Sequence, residues 1–201
     1  PQKTVMYEFG LQQQLTEDLS FDVTGFYRDT RDWVSTSPKI PVRNAETATT
    51  YYTIFVNKDY ANSRGVTLMV DKRASNLLSF NCSYTFQTAE GNNSSPDEEQ
   101  GALISNREPS KALTPLEWDQ THTVNLNLGI TNSHDWGVFV LARYGSGLPY
   151  SPVINQAEGR GEDAARVLQK NSRRQPSTMT LDLRTFKSFT MGPLRWTVSL
   201  K

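Results

Sequence analysis

The chain is organised by a period of two. From Trp118 to Thr131, the residues Trp118, His122, Val124, Leu126, Leu128 and Ile130 share one parity, interrupted by Gln120. Asp119, Thr121, Thr123, Asn125, Asn127, Gly129 and Thr131 share the other. Successive side chains of a strand point to opposite faces, so this pattern predicts a strand with one greasy face and one wet face. The alternation recurs in about eight segments. They run over about Thr4–Leu15, Leu19–Val34, Tyr51–Arg73 and Leu77–Thr88, then Trp118–Thr131, Trp136–Tyr150, Thr178–Phe189 and Leu194–Lys201. The third has a polar middle, Asn57 to Gly65, which predicts a projection beyond a membrane or a bulge. The sixth is partly apolar on both faces, with Val138, Val140 and Ala142 set against Phe139 and Leu141.

The connections alternate as well. Thr16-Glu17-Asp18, Ser75-Asn76, Asn132 to Asp135 and Gly192-Pro193 are short turns. Between them lie polar stretches at about Ser35–Thr50, Ala89–Glu117 and Ser151–Ser177. Each far exceeds the ~2–5 residues of a hairpin loop. Asn92 to Pro96, followed by Asp97-Glu98-Glu99, reads as a solvated loop tip. Short turns at one end and long loops at the other are the plan of a transmembrane β-barrel, with periplasmic turns and extracellular loops. The expected fold is all-β: an antiparallel transmembrane β-barrel segment.

Composition agrees. Only 36% of the 201 residues are hydrophobic, and the mean hydropathy is −0.56. No apolar run approaches the ~18 residues of a transmembrane helix. A barrel needs no such run, because half of each spanning strand is polar. The net charge of +0 gives no reason to expect a nucleic-acid partner. Eight Tyr and four Trp suit interfacial belts or, equally, ordinary strand propensity. The single cysteine, Cys82, excludes an intrachain disulfide and falls in the apolar register, so it reads as a packing residue. The chain starts at Pro1 with neither Met nor a signal peptide, and it stops at Lys201 in full alternation; both features lead us to expect a piece of a larger barrel.

The sequence carries no catalytic or metal-site pattern. His122 and His134 have no Cys partner and no metal-site spacing. Gly145-Ser146-Gly147 lacks the acid and histidine of a nucleophile elbow, and Gly159-Arg160-Gly161 does not link a strand to a helix. Asp29 and Asp32 beside Arg28 and Arg31 read first as a charged strand end rather than a cation site, and Asp97-Glu98-Glu99 as solvated charge. Charges on the wet parity say more. Glu8, Asp22, Arg28, Asp119, Arg143, Asp182 and Arg184 are the candidate lumen-facing residues. On a lipid face each would cost roughly 2–4 kcal/mol near the midplane. Inside, they either pair with one another or line a solute path and hold a plug.

Several stretches resemble the carboxyl-terminal part of the barrel of TonB-dependent outer-membrane receptors. They are Tyr7-Glu8-Phe9-Gly10-Leu11 with Asp22 to Asp29, Asn57 to Arg73, and Pro115 to His122. Arg143 to Tyr150 and Leu181-Asp182-Leu183-Arg184 complete the set. The resemblance covers nearly the whole chain and is weakest in the long loops. It implies eight strands of a larger barrel of about 22 strands. It also implies a bacterial outer-membrane location, surrounding outer-membrane lipid, and a plug domain from the same parent chain. The TonB complex would act through an amino-terminal region, and that region, the plug and the family's final strand are not in this sequence. The implied activity is import of a scarce solute of the siderophore, cobalamin or glycan class. The barrel itself would need no cofactor and would not be an enzyme. Candidate contacts for a small-molecule or glycan ligand are the aromatics and arginines near the extracellular ends: Trp33, Tyr51, Tyr52, Arg107, Tyr150, Arg160, Arg173 and Arg174. An interfacial belt with loops touching lipopolysaccharide would use the same residues. Two other folds remain open at this point: a complete eight-stranded outer-membrane barrel with an adhesin or structural role, and a soluble β-sandwich.

Overall fold

Strand pairing turns the alternation into two continuous surfaces. The computed structural model describes residues 1–43, 49–75, 77–104, 112–132, 135–152 and 170–201. In chain order the elements begin with β1 (Lys3–Gln14), β2 (Leu19–Thr36), β3 (Ile40–Arg43), β4 (Thr49–Tyr52), β5 (Phe55–Ser75) and β6 (Leu78–Gly91). They continue with α1 (Asp97–Ile104), β7 (Thr114–Pro115), β8 (His122–Asn132) and β9 (Trp136–Gly145). The last are β10 (Pro149–Tyr150), β11 (Arg173–Arg174), β12 (Thr178–Met191) and β13 (Leu194–Leu200). Among the described residues the eight long strands form one antiparallel meander, β1-β2-β5-β6-β8-β9-β12-β13, with β7 added to β6.

The register is consistent across the sheet. Leu11 sits opposite Val23, Val23 opposite Leu68, and Leu68 opposite Tyr84. The row continues through Val124, Tyr144 and Met179. One residue over, Gln12 leads to Asp22, Met69, Ser83, Asn125, Arg143 and Thr180. Period-2 geometry puts the first row on one face and the second on the other. Cys82 lies in the apolar set, opposite Val70 and Leu126.

The polar face is not uniformly polar. Phe139 and Phe186 stack on it, with ring centroids 6.2 Å apart and planes at 21°. The Phe186 ring lies over Gly137, where a Cβ would stand 2.3 Å from Cε1. Phe26 covers Gly65 in the same way: a Cβ there would be 2.8 Å from Cζ and 2.2 Å from the Phe86 carbonyl oxygen. Bulky rings on the concave side are accommodated because their cross-strand partners are glycines. Together with Asp71, Asn81, Asn127, Asp182 and Arg184, Phe139 and Leu141 line a groove of about 970 Å³.

Long strands and loops all leave from the same end. β5 has 21 residues, about twice the 9–11 needed to span a bilayer, so its Phe55 half projects outside. Its pairing with β2 also slips twice, on either side of Trp33, and Asp32 takes φ 56° there. Projection and bulge thus both occur. Three boundaries differ from the sequence expectation. Tyr51-Tyr52 belongs to the separate β3–β4 hairpin rather than to the third spanning strand. Tyr150 likewise sits in the β10–β11 ladder, beyond the end of β9. Trp118 to Thr121 precede β8, because Asp119 N–H closes a turn onto the Leu116 carbonyl at 2.8 Å. Asn92 to Glu117 also holds order where a loop was expected, namely α1 and β7. No helix among the described residues is long and apolar enough to cross a membrane.

The sheet path starts at β1 and ends at β13 without pairing them. A small closed barrel needs that pair, and a sandwich needs a second sheet facing the first. The described residues form neither.

At the opposite end the turns are short and one is clamped. Asp18 accepts from Lys72 Nζ at 2.5 Å, from Thr16 Oγ1 at 2.7 Å and from Ser75 Oγ, while its carbonyl accepts from Arg73 N–H at 2.8 Å. The Lys72 bond above all, then those of Ser75 and Thr16, holds the Asp18 carboxyl well below its ordinary value. A depressed folded pKa stabilises the fold in full above the unfolded value of 3.8 and loses that contribution as pH falls below it. Melting of the intact receptor should therefore show the largest deficit for Asp18→Asn at neutral pH, shrinking below about pH 4. A deficit that does not change between pH 7 and pH 3 would refute the clamp.

Candidate functional site

The extracellular end carries the largest departure from regular strands. Ala61, Ala89 and Leu116 form a small buried cluster, and Trp33 packs against it. Ala61 has the parity of Ser63, Gly65 and Thr67, and Ala89 that of Gln87 and Thr85, so both belong to the polar face. Leu116 reaches them from the segment after α1. A Cβ on Gly91 would meet Leu116 Cδ2 at 2.9 Å and Ala61 Cβ at 3.2 Å. The β6–β8 connection therefore folds over the polar face.

Asp119 is the polar centre of this arrangement and is 2% exposed. One carboxylate oxygen accepts from the Ala89 N–H at 2.7 Å and the other from Arg174 Nη2 at 2.5 Å. Arg174 Nη1 also donates to the Asp119 carbonyl at 2.9 Å and the Gly147 carbonyl at 3.1 Å. Asp119 takes over where β8 stops pairing with β6. Its side chain supplies the acceptor that a continued strand would have offered.

Glu99 on α1 is likewise buried. It accepts from Ser35 Oγ and Lys58 Nζ, each at 2.7 Å. Glu98 accepts from Ser94 N–H at 2.7 Å and pairs with Lys170 at 2.8 Å. Lys170 Nζ also donates to the Asn92 carbonyl at 2.9 Å, and Asn171 Nδ2 to the Pro115 carbonyl at 2.7 Å. The expected solvated charge run is thus a helix start. Ser95-Pro96-Asp97-Glu98 held the signal: Ser three residues ahead of Glu, Pro at the first turn, and acidic residues at the positive end of the helix dipole.

The candidate ligand contacts separate into groups. Trp33 serves the buried cluster and Arg174 serves Asp119. Tyr150 and Arg173 face each other in the β10–β11 ladder, with Tyr150 at 37% exposure and Arg173 exposed. Tyr51 and Tyr52 stand exposed on β4. Arg107 and Arg160 lie outside the described residues, as do His134 and the Gly159-Arg160-Gly161 stretch.

The candidate lumen charges fall into two sets. Register puts Glu8, Asp22, Arg28, Arg143, Asp182 and Arg184 on the polar face, six positions on four strands. Among the described residues none of the six forms an ion pair with another. Asp22 accepts from Thr24 Oγ1 at 2.9 Å. Asp119 is the exception to the expectation. It stands in the turn ahead of β8, not on a spanning strand, because its side chain is committed to Ala89 and Arg174. Asp29 pairs with Arg31 at 2.8 Å, and no group of three metal-ligating side chains occurs among the described residues.

The fold has solved counterparts. The outer membrane transporter YddB from Escherichia coli aligns with a TM-score of 0.61 at 15% identity, over 92% of this chain and 26% of that one. The ferric-catecholate import receptor Fiu from E. coli K12 gives 0.56 at 16% identity, over 93% and 21%. The copper transporter OprC gives 0.51 at 14% identity, over 99% and 25%. The chain thus spans about a quarter of the length of the structures it matches. Comparison with curated proteins gives no significant match. The family model described as TonB dependent receptor-like, beta-barrel matches residues 1–201. The chain belongs to the TonB-dependent receptor β-barrel family of the bacterial outer membrane, a family of receptors and not of enzymes.

Proposed function

We propose that this chain is part of the barrel of an active importer of the outer membrane. Its extracellular segments capture a scarce solute of the siderophore, cobalamin or glycan class. Its polar face holds a plug domain of the parent chain, and TonB supplies the energy through that plug. Further strands complete the barrel at the edges of β1 and β13.

One observation carries this reading. Six of the polar-face charges, of both signs, make no ion pairs with each other, and two of them, Asp182 and Arg184, line a groove of about 970 Å³. A barrel of eight strands fills its interior with its own side chains. Charges held on an open concave face instead suit a partner that is itself polar and shaped to the lumen, which is the part a plug plays. The names of the aligned structures describe solutes as different as ferric catecholates and copper, so the fold alone does not choose among solutes.

The mouth offers Tyr150 beside Arg173 for recognition. An aromatic face next to a cation suits an anionic solute with a planar group, or a sugar ring carrying an acid. Tyr51 and Tyr52 on the β3–β4 hairpin add aromatic surface.

The test is uptake by the intact receptor in cells lacking their own importers, with a ferric catecholate, cobalamin and a labelled oligosaccharide as probes. One class should enter, and a proton-gradient uncoupler should stop it. Arg173→Ala should weaken its binding roughly tenfold or more, as expected for a lost hydrogen bond to a charged group. Entry that ignores the uncoupler, or no entry of any probe by a correctly inserted receptor, would contradict the proposal.

A further inference from the structure

Residues 92–104 and 112–121, between β6 and β8, are built into the wall more firmly than a mobile cover allows. Leu116 is fully buried against polar-face residues of β5 and β6, so the stretch lies across the mouth rather than out in solvent. Its ties come from three directions. Ala89 of β6 donates its N–H to Asp119. Ser35 of β2 and Lys58 of β5 donate to Glu99. Lys170, Asn171 and Arg174 reach in from the far side of the next connection.

Two of these anchors are buried carboxylates, Asp119 at 2% and Glu99 at 6% exposure. Swinging the stretch outward would strip every partner from both at once. It would also expose Leu116 and leave the Ala89 amide without its acceptor. An outward state gives up these charge-assisted hydrogen bonds together and exposes Leu116 to water, so it is rarely populated. The β3–β4 hairpin is different: among the described residues its two strands pair with each other and not with the main sheet.

We propose that residues 92–104 and 112–121 form a permanent inward wall of the mouth, keyed by Asp119, and that they do not swing when a solute arrives. The solute path is then already narrowed on the β5–β6 side before binding. Any movement on capture falls to other surface segments, the β3–β4 hairpin first among them. This inference rests on the two faces of the sheet and not on the identity of a solute.

The experiment is hydrogen exchange on the intact receptor in detergent micelles, without any solute, so it stands apart from the outcome of the uptake assay. Peptides covering 86–92 and 112–121 should exchange as slowly as those covering the spanning part of β8. Asp119→Ala should speed both by roughly tenfold or more, as expected for the loss of hydrogen bonds to a charged group. A second variant guards against simple misfolding. Glu90 and Pro115 are register partners, and Leu116 N–H donates to the Ala89 carbonyl. They therefore form a non-hydrogen-bonded pair with Cα atoms about 4.5 Å apart, within disulfide range. Glu90→Cys with Pro115→Cys, in a Cys82→Ala background, tethers the stretch closed on oxidation. The wall predicts less than a twofold difference in exchange between the oxidised and reduced forms. Fast exchange in the wild type that slows more than tenfold on oxidation would show a moving cover and overturn the proposal. Unchanged exchange in a folded Asp119→Ala receptor would overturn the part given to Asp119.

Discussion

A bilayer offers the backbone no water. Every N–H and C=O within it must find a partner in the protein, and every side chain turned toward lipid must tolerate hydrocarbon. The meander answers the first demand through its ladders and the second through its register. The row from Leu11 to Met179 runs apolar across seven strands, and the neighbouring row from Gln12 to Thr180 holds polar side chains at all but Met69. A slip of one residue in any strand would turn a charge such as Arg143 or Asp182 toward lipid. The polar face, the groove and the positions of the six charges on it all follow from that single alignment.

Outside the hydrocarbon the demand relaxes, and the chain changes its means of satisfying the backbone. β8 stops at His122, and the Asp119 carboxylate takes the Ala89 N–H that a longer strand would have taken. The same carboxylate then recruits Arg174, which joins two connections that are far apart in sequence. Order at the mouth is thus built from buried carboxylates, whereas order in the wall is built from ladders. The turn at the other end uses a milder form of the same device, a half-buried Asp18 gripped by Lys72 and its neighbours.

The spanning strands were legible because lipid imposes a strict period of two over about ten residues. Each of the eight long strands was found within a few residues of its ends, and the charges on six polar-face positions followed. Trp118 to Thr121 misled, because a turn whose residues happen to alternate looks like more strand. Asp119 looked like a lumen charge for the same reason. Tyr51-Tyr52 reads as continuous with β5 across Thr53 and Ile54, where nothing in composition marks the break. α1 carries start signals but no readable period, since eight residues with little apolar stripe give periodicity nothing to read. The ties from Lys170, Asn171 and Arg174 to the β6–β8 stretch join residues more than fifty positions apart. No local pattern could have announced them. Among the candidate ligand contacts, the split between Arg173 and Arg174 is equally hidden: both adjacent arginines are exposed, but the Arg174 guanidinium is committed to Asp119.

The most direct test of the account is the face assignment itself. Spin labels placed one at a time on residues 123 to 131 of β8, in the intact receptor in lipid, would be challenged with oxygen and with a water-soluble paramagnetic reagent. The account predicts that labels at Val124, Leu126, Leu128 and Ile130 respond to oxygen from the lipid. Labels at Thr123, Asn125, Asn127, Gly129 and Thr131 should respond less to oxygen, giving a period of two along the strand. Equal oxygen response at all nine positions, or the opposite phase, would contradict it.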